Sequence, residues 1–170
     1  SYASFGAGSS SHIYGEAFVK KTGTDAVHIP YKGGSDAAKD LIAGRVQYMF
    51  DSASSAIITA GTGKVKVLAV AAQARIPALP DVPTFAEQGF DGLDLPSWLG
   101  FYGPANMPAA VVEKLNTALA KVLAMPQVQE FYRNGGYEAG STTPQEFTKI
   151  TRTTYDQWGA MVQQVGLVKQ

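Results

Sequence analysis

Cysteine is absent from this 170-residue chain. Without a thiol there is no disulfide framework and no thiolate metal site. Histidine is scarce: His12 and His28 are the only two, and neither stands at metal-ligand spacing from other donors. No metal and no cofactor is therefore expected. Net charge is lacking as well, since 14 basic and 14 acidic side chains cancel. That balance excludes nucleic acid as the main partner, because a phosphate backbone selects a basic face. No apolar run reaches the ~20 residues that a membrane-spanning helix requires. Residues 1–20 hold no basic segment followed by an apolar one, so they are not expected to be an export signal. The Gly-x-Ser-x-Gly elbow of serine hydrolases is missing. The order of Tyr31-Lys32-Gly33-Gly34 is wrong for a P-loop, and Lys32 is expected in solvent.

What the chain does contain is a repeated local theme. Three times an apolar strand runs into a small-residue loop and then a helix. The first passage is Tyr2 to Ser11, with the loop Phe5-Gly6-Ala7-Gly8-Ser9-Ser10. The second is Val27 to Ser35, through Tyr31, Gly33 and Gly34. The third is Tyr48 to Ser54, through Asp51. Helix starts of this kind present free amides and about half a positive charge, so they bind anions without a charged side chain. Glycine admits a close ligand approach, and serine caps the helix or donates its hydroxyl. Together the three loops predict a cradle for a carboxylate or a phosphate. Each residue also has a plainer reading. Phe5 to Ser11 is equally an ordinary turn with a serine cap, and Asp51 is equally the cap of the helix that follows. His12 lies in a first helical turn, where the dipole disfavours its charge, and is a candidate neutral donor lining the site. His28 reads as a packed side chain inside an apolar strand.

The alternation of strands and helices makes the fold class α/β with parallel strands and right-handed crossovers. Strands are expected at about residues 2–5, 26–29, 46–50, 65–71 and 94–103. Helices are expected over about 9–22, 34–43 and 52–60, closing at Gly23, Gly44 and Gly61. Val65 to Ala71 is nearly all apolar, as a strand covered on both faces would be. Three prolines between Arg75 and Pro83 bar regular structure there, and Arg75 reads as a surface charge. From Pro108 the chain turns helical. One apolar stripe is Val111, Val112, Leu115, Leu119, Val122 and Leu123; another is Phe147, Ile150, Thr154, Trp158, Met161 and Val165. Thr143, Pro144 and Glu146 form a capping box with proline at the first helical position. The expected units are residues 1–94, mostly parallel sheet, and residues 95–170, mostly helical.

With these elements in order, the chain resembles the substrate-binding proteins of tripartite tricarboxylate transporters, the Bug family of periplasmic receptors. The stretches that carry the resemblance are Ile29 to Gly34, Asp40 to Val46, Met49 to Asp51 and Gly63 to Val70. Leu79-Pro80-Asp81-Val82-Pro83-Thr84, Ser97-Trp98-Leu99-Gly100 and Gly103-Pro104-Ala105 complete them. The resemblance implies type II periplasmic-binding-protein lobes, with residues 1–94 as the second lobe. It implies that residues 95–170 are the C-terminal part of a first lobe whose N-terminal part lies outside this chain. It further implies a periplasmic receptor, not an enzyme, that holds a small carboxylate: a dicarboxylate, a tricarboxylate, an acidic amino acid or an aromatic acid. The membrane components of the transporter would be its partners, and Gly8, Ser9 and Ser10 would meet the carboxylate. An incomplete lobe also predicts self-association of the chain through Trp158 and Met161. The rival reading from the residues alone is an α/β enzyme on an anionic acyl or phosphoryl substrate, with Asp51 and His12 as its candidate bases.

Overall fold

The strand–helix alternation demands a parallel sheet, and the computed structural model, which describes residues 1–167, contains one. Strands β1 (Tyr2–Ser4), β2 (His28–Pro30) and β3 (Tyr48–Met49) lie in the order β2-β1-β3, all parallel. Tyr2 stands opposite His28 on one side and Tyr48 on the other. Helix α1 (Ser10–Thr22) joins β1 to β2, α2 (Gly34–Ile42) joins β2 to β3, and α3 (Ala53–Ala60) follows β3. The pleat of β1 sorts these helices. A Cβ at Gly15 of α1 would strike the ring of Tyr2, so Tyr2 faces α1. Ala3, the next residue, packs with Ala37 and Leu41 of α2 and with Val46. Alternate side chains of a strand point to opposite faces, so α1 and α2 cover opposite sides of the sheet.

Local chemistry sets the helix ends. Ser9 caps α1 through its side chain, and Gly23 closes it in the left-handed conformation. Ser52, not Asp51, caps α3, with its hydroxyl accepting from the Ser55 amide. Beyond the sheet, α4 (Ala109–Leu123), α5 (Pro126–Asn134) and α6 (Pro144–Val165) form the helical part. The Thr143–Glu146 capping box at the start of α6 is present, with proline in the first turn. A second reciprocal pair, Thr84 and Glu87, caps a 3₁₀ turn at Ala86–Gln88.

The fold departs from the sequence expectation in three places. Residues 65–71 do not form a strand; among the described residues the stretch makes a single β-bridge, Val70 to Thr84. Its side chains alternate between half-buried and exposed, and Leu68 is 70% exposed. An apolar run becomes a covered strand only beside partner strands, and among the described residues it has no strand partner. Residues 94–103 likewise form no strand, and Leu99, Phe101 and Tyr102 are exposed. Trp158 and Met161 are not free for a second copy: α6 lies on α1, Met161 is buried, and Trp158 meets Tyr14 edge-on at 5.2 Å. Val111, Leu115 and Val122 of α4, by contrast, are exposed along one helix.

A cluster of rings ties the parts together. Tyr14 and Phe18 of α1, Phe50 after β3, and Phe85 lie within ring-stacking or edge contact of one another, with centroids 5.4–6.1 Å apart. The Tyr14 hydroxyl also donates to the Leu95 carbonyl at 3.0 Å. Trp98 is half-buried against Phe147 and donates its indole N–H to Thr154 at 3.1 Å. Arg75 is at the surface, as expected, and pairs with Glu87 at 3.0 Å.

Candidate ligand-binding site

The loop after β1 turns toward α1, whereas those after β2 and β3 lead to α2 and α3, which pack together. The loops therefore diverge around the carboxyl end of β1. In open α/β sheets such a divergence leaves a crevice for a ligand.

Two of the three predicted loops are in direct contact. The Tyr31 amide donates to the Ser4 carbonyl at 3.0 Å. A Cβ at Gly6 would come within 3.3 Å of the Tyr31 carbonyl, and Gly6 has φ +127°. A Cβ at Gly34 would come within 3.1 Å of the Phe5 ring. Glycine at these positions lets the β1 and β2 loops touch. Gly33 leads into α2 with extended backbone and no side-chain cap.

Within the first loop, most polar groups are already paired. The Phe5 amide donates to the Ser11 hydroxyl at 2.9 Å, and the Gly6 amide to the Ser4 hydroxyl at 3.1 Å. The Ser9 amide donates to the Gly6 carbonyl at 3.2 Å, and the Ser9 hydroxyl donates to the same carbonyl at 2.7 Å. The Gly8 amide donates to Nδ1 of His12 at 3.0 Å. Among the described residues, the amides of Ala7, Ser10 and Ser11 have no acceptor. Ala7, Gly8 and Ser10 are exposed. The loop thus offers three unpaired amides and the Ser10 hydroxyl at the positive end of α1. That donor set suits a carboxylate.

The side chains of other candidates are engaged elsewhere. His12 is buried with its Nδ1 occupied, so in this arrangement it is an acceptor within the loop and not a donor facing a ligand. The Tyr31 hydroxyl donates to Asp40 at 2.8 Å, and Asp40 also accepts from Arg45 at 2.7 Å. That pairing holds the Asp40 carboxyl below its ordinary range and pushes the Tyr31 hydroxyl up. Lys32 is exposed. Asp51 accepts the Ser52 amide at 2.8 Å, and burial raises its pKa above the usual carboxylate value. No hydrogen bond links Asp51 to the first loop.

Residues beneath the loop complete the site, and composition alone did not single them out. His28 stacks on His12 with ring centroids 3.8 Å apart and planes 12° from parallel. Its Nε2 shares a 2.6 Å hydrogen bond with the Ser4 hydroxyl. Tyr2, fully buried, donates its hydroxyl to Glu16 at 2.5 Å. Burial and the Glu16 carboxylate together push the Tyr2 hydroxyl well up. The readable signal was polar residues, Ser4, His28 and Glu16, at positions that should face a core.

The family model described as "Tripartite tricarboxylate transporter family receptor" matches residues 1–167. The chain belongs to this family. A UPF0065 protein from the tcbD-tcbE intergenic region of a Pseudomonas species is 33% identical over 163 residues, covering 95% of this chain and 48% of its own length. The periplasmic binding protein BugD superposes with TM-score 0.90 at 33% identity over 99% of this chain. The R. palustris protein Rpa4515, solved with adipate, superposes with TM-score 0.91 at 30% identity over 97%. The match takes up 57% and 55% of those two solved chains, so this receptor-family chain spans about half the length of these relatives. The expected periplasmic-binding-protein fold is therefore present.

Proposed function

We propose that this chain is the anion-gripping part of an extracytoplasmic receptor that captures a small carboxylate for a tripartite transporter. Residues 1–94 form its second lobe, and residues 95–170 belong to the lobe that faces it. The supporting observation is the loop from Phe5 to Ser11, whose Ala7, Ser10 and Ser11 amides stand unpaired at the start of α1. A relative of the same fold, at 30% identity, is described with adipate. Gly8 keeps the approach open, since a Cβ there would meet nothing within 4 Å. Gly33 and Gly34 bring α2's first turn alongside, and Asp51 stands at the edge to take a hydroxyl, an amine or a water of the ligand. The membrane components of the transporter are the partners that receive the ligand in the periplasm.

The receptor reading is favoured over the enzyme. His12 is enclosed with its basic nitrogen occupied, which leaves Asp51 without a second proton-handling group at the loop. The deciding experiment is thermal shift and calorimetry with adipate and other di- and tricarboxylates, with product analysis in parallel. A ligand at 100 times its Kd adds about 2.7 kcal/mol, or roughly 5–10 °C for a chain of this size. The expected result is such a shift, no turnover, and an affinity that changes little with salt, because amides and hydroxyls rather than Lys32 or Arg75 hold the anion. No shift with any carboxylate, or conversion of the ligand, would refute the proposal.

A further inference from the structure

The two histidines of this chain lie on different elements, yet both grip the same loop. His12 on α1 accepts the Gly8 amide through Nδ1 at 3.0 Å. His28 on β2 holds the Ser4 hydroxyl through Nε2 at 2.6 Å, and that hydroxyl accepts the Gly6 amide at 3.1 Å. One imidazole thus fixes each glycine of the loop, directly in the first case and through one serine in the second. The rings are stacked 3.8 Å apart and nearly parallel.

The hydrogen-bond pattern defines the protonation state. A nitrogen that accepts an N–H carries no proton, so His12 is neutral with its proton on Nε2. That Nε2 lies 3.7 Å from Glu16, beyond hydrogen-bond length. A proton added to Nδ1 would turn the acceptor into a donor aimed at the Gly8 N–H. Gly8 would then have to turn away, taking with it the neighbouring amides of Ala7 and Ser10. The surroundings of the pair are Glu16 on the same helix, Tyr2 on β1, His28 on β2 and Tyr48 on β3. Only Glu16 among them would favour a charged imidazole, and Tyr2 already donates to it. Burial first, and the neighbouring His12 second, lower the pKa of His28 below its ordinary value, with Glu16 pulling the other way.

We propose that His12 is a positioning residue of the carboxylate loop. Its neutral ring holds Gly8 in the ligand-ready conformation, and protonating it releases the loop. It acts on the ligand only through Gly8. The inference rests on the reading of Phe5–Ser11 as the carboxylate loop, and it makes binding proton-dependent in one direction. A distant positive charge would by itself strengthen anion binding on acidification. A positioning role predicts the opposite.

Nitrogen-15 NMR on the ligand-free 170-residue chain reads the linkage directly. The His12 ring should show the Nε2–H tautomer while it is neutral, and the Gly8 amide signal should move when that ring takes up a second proton. In His12→Asn, a side-chain oxygen near the Nδ1 position can take the same bond but cannot titrate. The Gly8 signal of that variant should stay near its alkaline position throughout. His12→Leu should shift it at every pH. Calorimetry with adipate then compares the wild type with His12→Asn at each pH, so that titration of adipate itself cancels. Wild type should lose about five- to tenfold in affinity relative to His12→Asn on acidification, the worth of one hydrogen bond. A Gly8 amide that ignores His12 protonation, an Nδ1–H tautomer, or wild-type affinity that rises relative to His12→Asn would overturn the proposal. The NMR measurements contain no ligand. Absence of adipate binding in every variant would therefore count against the carboxylate reading and leave the linkage to be decided by the Gly8 signal.

Discussion

A single methyl group placed at Gly15 should destabilise this protein, although glycine-to-alanine in a helix ordinarily does the reverse. Gly15 lies inside α1, where alanine is favoured by about 1 kcal/mol. Its Cβ, however, would stand 2.1 Å from Cε2 of Tyr2, 2.6 Å from Cζ and 2.7 Å from Cδ2. All three distances are far inside van der Waals contact. The Tyr2 ring has no room to retreat. It is fully buried, stacked on His28 at 5.0 Å and on Tyr48 at 5.5 Å, and tethered through its hydroxyl to Glu16. Expelling the ring would sacrifice about 3–5 kcal/mol of burial, so α1 has to shift instead. Overpacking of this kind costs about 1–3 kcal/mol, and the contact here belongs at the upper end. After the helix-propensity gain, the net loss is about 2 kcal/mol, or roughly 4–8 °C in Tm.

Urea denaturation followed by far-UV circular dichroism measures this, with an unchanged slope showing that the denatured state is not altered. Gly159→Ala in α6 is the control. Nothing lies within 4 Å of a Cβ there, so that variant should be as stable as the parent or gain up to about 1 kcal/mol. In a Tyr2→Ala background the Gly15→Ala penalty should vanish. If Gly15→Ala behaves like Gly159→Ala, the packing of α1 on β1 described here is wrong.

Other expectations follow from the loop, its edge and α4. Ser11→Ala leaves the Phe5 amide without its acceptor and should cost about 1–3 kcal/mol in the same urea assay. Gly8→Val should weaken adipate binding more than Ser11→Ala does, because Gly8 has φ +76°; Gly8→Asn should be milder, and calorimetry showing Val and parent equal would refute this. Asp51 has a raised pKa, so its folded state holds a proton more tightly than the unfolded chain; its contribution is present below its ordinary value of 3.8 and is lost as pH rises through the folded value. Asp51→Asn should accordingly be more stable than the parent at neutral pH, with the advantage shrinking toward about pH 4 in a series of thermal melts. Val111, Leu115 and Val122 are each more than 40% exposed on one helix, which predicts concentration-dependent association. Sedimentation should show it, Leu115→Lys should reduce it, and a clean monomer at high concentration would contradict it.

What was legible in the sequence was whatever short-range chemistry decides. Ser9 and Gly23 bound α1, and Thr143 with Glu146 starts α6, because a cap is satisfied by residues three or four positions away. The short helical turn expected from Thr84 to Gln88 and closed by Gly89 is present for the same reason, with Thr84 and Glu87 bonded reciprocally across its start. Val65 to Ala71 misled for a different reason. Apolar content reports how well a segment would fit inside a sheet, but strand formation also needs neighbours, and among the described residues only Thr84 bridges it. In the candidate site, the glycine- and serine-rich loop at the start of α1 followed from composition. The commitments of individual groups did not. That Tyr31 spends its hydroxyl on Asp40, or that His12 and His28 stack across 16 positions of sequence, depends on how the elements pack.

The four serines around this loop show how a neutral chain prepares a site for an anion. Ser4 accepts the Gly6 amide, Ser11 accepts the Phe5 amide, and Ser9 closes the loop on the Gly6 carbonyl while capping α1. Those three are spent on holding backbone in place. Ser10 alone is exposed with no partner among the described residues. Reading Ser9 and Ser10 as equivalent ligand contacts therefore joins two different roles. A hydroxyl that fixes the loop reduces what must be ordered when the ligand arrives; one left open supplies a contact. Removing the Ser9 hydroxyl should loosen the loop with or without ligand, whereas removing that of Ser10 should be felt only when a carboxylate is bound. Affinity at such a site rests less on the number of donors than on how many are already held still, and here the holding is done by serines and the two histidines beneath them.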